Sequence, residues 1–205
     1  MKKLIGLLAV VFVANMGHVF ATDCTVGQEV KNGTTVIGYA FYCKDDPESQ
    51  KLMSKSSFEN YFGKKLVGLM AAPEDQGTKL VWSDEYSKTG ITSTSVGDGL
   101  HNTIALKNLG YPAATSCWEK ESRDNSSWMT RWFLPSKDEL NLMHKELFSD
   151  GKNKGKFSDY WYWSSSEDYG NYAWYQGFNS GLPGDVLQDY HGKDDRYSVR
   201  CARAF

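Results

Sequence analysis

The residues with types suited to chemistry are concentrated in the last quarter of this sequence. Glu167 and Asp168 are adjacent carboxylates. Neighbours on an extended chain point to opposite sides, which is poor geometry for acid and base work on one substrate, so the pair reads as a solvated turn. Asp185, Asp189, His191, Asp194 and Asp195 offer the ligands a hard cation such as calcium takes, but they lack EF-hand spacing. His101, His144 and His191 have no partner at metal spacing, and Ser164, Ser165 and Ser166 lack the flanking glycines of a nucleophile elbow. The expectation is a protein without catalysis, metal or cofactor.

The same region is better equipped for recognition. Between Tyr160 and Phe205, 12 of 46 residues are Phe, Trp or Tyr, about twice the 14% of the whole chain, and they alternate with Gly, Ser, Asn and Asp. Tyr and Trp give large contact area for few lost rotamers, while Ser, Gly and Asn give adaptable hydrogen bonding. Residues 160–198 are therefore expected to form the binding surface. Tyr169, Asn171, Tyr172, Tyr175, Gln176, Asn179, Ser180, Asp189, Tyr190 and His191 are the candidate ligand-binding residues. Tyr172, Tyr175 and Tyr190 would be the anchors, with Asn179, Ser180 and Asp189 making polar contacts around them. Trp163, Trp174, Phe178 and Val199 are expected to point inward.

A scaffold must hold that surface. Met1, Lys2, Lys3, the apolar run from Leu4 to Ala14 and the ending Val19-Phe20-Ala21 predict a secretory signal peptide over residues 1–21, too short in its apolar part to span a bilayer. Residues 22–205 are then expected to be a single domain, soluble, exported, and periplasmic, surface-borne or secreted. Without Lys2 and Lys3 the remaining 21 cations face 25 carboxylates, and scattered lysines on a mildly acidic chain argue against a nucleic-acid partner. Cys24, Cys43, Cys117 and Cys201 contain no C-x-x-C, so export implies two disulfides, for which three pairings exist. Asn32-Gly33 is a hairpin signal that would set Cys24 opposite Cys43, and the second pair would then tie a helix to the final strand.

Residues 34–43 read as a strand, with 65–72 as its partner and a polar insertion over 44–63 that carries helical turns near 49–53 and 58–62. Pro73 to Gly77 is a turn, and Leu80-Val81-Trp82 restart an extended piece. A helix is predicted over 101–109, and another opens on Pro112, carrying Ala113, Ala114, Cys117 and Trp118. Ser136 and Glu139 have capping-box spacing ahead of Leu140, Met143 and Leu147, which form one apolar stripe. Asp150 and Gly151 are expected to stop that helix.

Several motifs recur together in order. Trp132-Phe-Leu-Pro-Ser-Lys-Asp-Glu-Leu140 is preceded by Gly68 to Gln76, Asn102-Thr103 and Ala113-Ala114. It is followed by Tyr162 to Glu167, Ala173-Trp174 and the terminal Val199-Arg200 to Arg203-Ala204-Phe205. Over residues 34–205, apart from 44–63, the chain resembles the Lcl C-terminal-like family. That resemblance implies an α+β, C-type-lectin-like fold, with two main helices on a small mixed sheet and long irregular loops. In that fold a helix-to-last-strand disulfide corresponds to Cys117 with Cys201. Members act as adhesins or ligand-binding domains. A subset resembles the variable proteins of diversity-generating retroelements, whose rewritten codons favour residues such as those at Tyr169, Asn171, Tyr172, Tyr175, Asn179, Ser180, Tyr190 and His191. The implied partner is a protein or glycan at a cell or phage surface, and the alternative is a fixed adhesin for sulfated glycans. The Glu-Pro-Asn and Trp-Asn-Asp motifs of calcium-dependent lectins are missing. A formylglycine-generating type of oxidase shares the broad fold, but its chemistry needs a reactive cysteine, and Cys201 is expected in a disulfide. A structural envelope protein, with the aromatics in a permanent interface, is a further class.

Overall fold

The computed structural model describes residues 24–52, 66–120, 131–149, 151, 153–158, 160–179 and 188–205. The predicted signal peptide, the helical turn at 58–62, Ser180 and Asp185 lie outside the described residues. The chain is α+β. Four strands, β1 (Glu29–Asn32), β2 (Thr35–Cys43), β3 (Gly68–Ala71) and β9 (Ala202–Ala204), form one sheet in the order β1-β2-β3-β9. Five others, β4 (Gly77–Val81), β5 (Tyr160–Glu167), β6 (Tyr172–Phe178), β7 (Gln188–Gly192) and β8 (Arg196–Val199), form a second in the order β4-β8-β5-β6-β7. Pairing is antiparallel except between β5 and β8. The helices are α1 (Pro47–Lys51), α2 (Gly99–Asn108), α3 (Pro112–Trp118) and α4 (Lys137–Met143), and α4 runs on as a π-helical turn over His144–Phe148.

The hairpin signal works one residue later than its two letters indicate. Asn32 ends β1 and pairs with Thr35, so Gly33 and Thr34 form the tip. Gly33 takes φ 62°, which glycine reaches without steric cost. Across that ribbon Cys24 bonds Cys43, and Cys117 of α3 bonds Cys201 just before β9. Gly68 lies beneath the first bridge. A Cβ there would come within 2.4 Å of the Tyr42 carbonyl and 2.8 Å of Cys24 Sγ, so only glycine lets β3 run this close.

Helix α4 opens as its sequence dictates. Ser136 accepts from the Glu139 amide, Glu139 accepts from the Ser136 amide, and Leu140, Met143 and Leu147 are fully buried. The α2 helix begins at Gly99, two residues ahead of the predicted start, with Asp98 as its cap residue. Cβ-less Gly99 sits against Glu139, where a methyl would meet the carboxylate. Two buried clusters hold the sheets and helices together. Phe41, Leu69, Leu100, Phe133, Leu140, Tyr162 and Phe178 belong to one, and Met70, Trp82, Leu106, Trp163, Tyr175 and Val199 to the other.

Candidate functional site

The candidate surface is the β6–β7 end of the five-stranded sheet, where β7 is the edge. Side chains alternate across a strand, so Tyr172 and Trp174 share a face of β6, and Tyr190, opposite Trp174, joins them from β7. Their rings meet edge to face, at 5.7 Å for Tyr172 with Tyr190 and 5.5 Å for Trp174 with Tyr190. Tyr172 is 42% and Tyr190 45% exposed, and Tyr169 in the β5–β6 turn is 72% exposed. Asn171, beside Tyr172, is exposed as well. Lys137, the first residue of α4, lays its ammonium 4.5 Å from the Trp174 ring centre, while its carbonyl accepts from Gln188 Nε2. A cation over an indole is attracted by the ring quadrupole, so Lys137 caps one end of this aromatic strip.

Four expectations are corrected here. Tyr175 is 6% exposed: it faces the opposite side of β6 and packs against Trp163, Tyr197 and Trp161. Burial and the nearby Asp189 charge push its hydroxyl pKa up. Gln176 is fully buried between neighbouring strands. Both are buried and not displayed, because the second half of β6 is covered on both faces. Trp174, expected inward, is half-buried in the outer strip. Glu167, read as a solvated turn residue, is fully buried as the last residue of β5.

The remaining candidates divide between the strip and the other face. Asn179, directly after β6, is exposed. Asp189 is exposed on β7, and its carboxylate accepts from the Tyr190 amide at 2.8 Å. His191 lies on the opposite face from Tyr190, with Nδ1 2.6 Å from Asp195 Oδ2 and 2.8 Å from the Tyr197 hydroxyl. The structure thus gathers Tyr172, Tyr190 and Trp174, leaves Tyr169 and Asn171 exposed in the turn before β6, and sets His191 on the opposite face. Trp161, exposed on β5, and Lys137 were not anticipated as surface residues of this region.

Several charged residues are buried inside the fold, one pair of them next to this surface. The Glu167 carboxylate receives hydrogen bonds from the Thr89 amide at 2.9 Å, the Gly90 amide at 2.8 Å and Lys193 Nζ, and Lys193 also donates to the Ser87 carbonyl. Both side chains are fully buried beside the Trp82 ring. Burial alone would raise the Glu167 pKa, yet Lys193 and the two amides stabilise the anion more strongly, and it falls below the usual value. Arg200 is held the same way. It pairs with Asp75 and donates to the carbonyls of Ala72, Gly155 and Lys156, while Asp75 accepts from Ser158 and Tyr162. Glu139 is different: burial dominates, and its pKa is pushed up to about 7.

Among the described residues no three His, Cys, Asp or Glu side chains gather as a metal site. No described helix is long and apolar enough to cross a membrane. No family model matches the chain, and no curated protein does. Among solved structures, the fold is similar to that of a fimbrial protein from Bacteroides ovatus ATCC 8483, with a TM-score of 0.56 and 16% identity over 89% of this chain. The match covers 49% of that protein, so the present chain spans about half its length.

Proposed function

We propose that this is an exported ligand-binding protein with a C-type-lectin-like domain. Tyr172, Tyr190, Trp174, Tyr169 and Asn171 face a protein or glycan at a bacterial cell or phage surface. One observation carries the proposal: the sheet leaves Tyr172 and Tyr190 interlocked yet nearly half exposed on a strand pair flanked by the buried Glu167–Lys193 ion pair. Large aromatics held rigid in solvent lose little entropy on contact, which is how binding anchors work. The ordered motifs resembling the Lcl C-terminal-like family support the assignment, and so does the fold shared with a fimbrial protein. By the same resemblance, the codons behind this surface are targets of a diversity-generating retroelement.

The test screens the purified protein against glycans and cell-surface proteins. The Tyr172→Ala/Tyr190→Ala double variant should lose the hits while its melting temperature stays within a few degrees of the parent. Undiminished binding by that variant sinks the assignment. Diversification is tested at the gene: a nearby near-copy of codons 160–205 that differs only at its adenines supports it, and the absence of any copy refutes it. A second reading, a fixed adhesin for sulfated glycans, is favoured by Lys137, whose ammonium sits at the end of the strip. It predicts binding that weakens steeply with added salt and is lost in Lys137→Gln.

A further inference from the structure

Among the described residues β7 is the outermost strand of its sheet and borders the aromatic strip, and an edge strand presents peptide groups on which another strand can add. Which groups point outward follows from the ladder. The Lys193 amide donates to the Asn171 carbonyl at 2.9 Å, so these two residues form a hydrogen-bonding pair one step beyond Tyr172 and Gly192. Such pairs alternate along antiparallel strands. His191 and Asp189 therefore direct their peptide groups to β6, while Gly192, Tyr190 and Gln188 direct theirs away from it. Two of these outward groups already have partners within the chain. The Tyr190 amide donates to Asp189 Oδ1 at 2.8 Å, and the Gly192 carbonyl accepts from the Asp195 amide at 3.0 Å.

The geometry points to Asp189 as the residue that closes this edge against strand addition. Its carboxylate occupies the amide an incoming strand would need in the middle of β7. Two edges meeting there would also bring two Asp189 charges together. The aromatic strip can thus be displayed next to an edge without the chain pairing with a second copy of itself. This inference does not depend on what the strip binds.

The test compares Asp189→Val, Asp189→Asn and the parent by light scattering over a range of concentrations. The β-branched valine frees the Tyr190 amide and removes the charge, and it should produce dimers or larger species. Asparagine keeps an oxygen that can accept from the same amide, so it should stay close to the parent. If the parent itself dimerises through β7, or if Asp189→Val remains monomeric and folded, the inference fails. Should the valine variant fold poorly, amide hydrogen exchange in Asp189→Ala decides. The Tyr190 amide should exchange about tenfold faster than in the parent, with Asp189→Asn near the parent rate, because exchange follows local hydrogen-bond opening. Equal rates in parent and alanine variant overturn it.

Discussion

On one face of the β6–β7 hairpin, Tyr172, Trp174 and Tyr190 meet edge to face in contact with solvent. On the other, Tyr175 lies against Trp163 and Tyr197, with ring centres 6.4 and 5.0 Å away. The residue types are almost the same, and the difference comes from what the rest of the chain packs against each side. The inner rings join Val199, Trp82 and Ala173 in a buried cluster, and Trp163 satisfies its indole N–H on the Leu80 carbonyl at 2.9 Å. The outer rings stay partly in solvent, with the Lys137 ammonium over Trp174 at one end. Aromatic content in a strand pair therefore says how much contact is available, and the neighbouring strands decide whether it is buried or left exposed.

The strongest way to break this comparison is at Trp163. Trp163→Ala should cost about 3–5 kcal/mol in chemical denaturation, since a large ring leaves a cavity and a broken hydrogen bond. A loss below ~1 kcal/mol would mean that the inner cluster is not a core. Lys193→Met should cost a similar ~3–5 kcal/mol, because it strands the Glu167 carboxylate without its cation, and Lys193→Met/Glu167→Gln should recover part of that loss. Breaking the disulfides separately sharpens the account of the frame. The Cys117–Cys201 bridge spans 84 residues and Cys24–Cys43 spans 19. On loop-closure entropy, losing the longer bridge should cost about 1 kcal/mol more than losing the shorter one.

Acid titration should separate two carboxylates with opposite shifts. Glu167 has a lowered folded pKa, so its contribution is present above pH ~4.5 and is lost as pH falls below that value. Burial pushes the Glu139 pKa up to about 7, above the ordinary 4.5 of the unfolded chain. The folded state therefore holds the extra proton between those values, and this group lowers stability as pH rises from 4.5 to 7. Glu139→Gln, which suits a capping box, should flatten the stability profile in that window, as measured by denaturant midpoint against pH. The smallest effect is expected outside. Tyr172→Ala and Tyr190→Ala should each change stability by no more than about 0.5–1 kcal/mol, the scale of an exposed cross-strand pair.

Much of the scaffold was legible in the sequence because its signals are local. The capping box of Ser136 and Glu139 and the strand at Thr35–Cys43 depend on residues only a few positions apart. The hairpin at Gly33 does too, and it aligns Cys24 with Cys43. What stayed hidden depends on distant partners. Glu167 and Asp168 look like surface charges, and nothing near them in the chain announces Lys193. Asp75 and Arg200 are 125 residues apart. Tyr175 and Gln176 are candidates by composition, as members of a segment in which aromatics are interleaved with Gly, Ser, Asn and Asp, and composition does not say which way a side chain points. From Tyr175 to Phe178, β6 is buried on both faces, and the period of two no longer separates inside from outside. Composition singled out Tyr172 and Tyr190, which are exposed, but gave no sign of Lys137, which reaches Trp174 only when α4 is set against the sheet.

The placement of β9 has a consequence for how a sequence like this tolerates change. Ala202–Ala204 pair with β3, Phe133 bridges to Ala202, and Phe205 exchanges backbone hydrogen bonds with Gly68. The first sheet is thus finished by residues translated after the whole aromatic surface. A frameshift or stop codon arising anywhere in the surface segment would remove its own closing strand and the partner of Cys117. Such a product would leave the β3 edge bare and Cys117 without its disulfide partner. In-frame substitutions on the strip leave the β9–β3 pairing and the Cys117–Cys201 bridge in place, so the closure of the first sheet is independent of which side chains the strip carries.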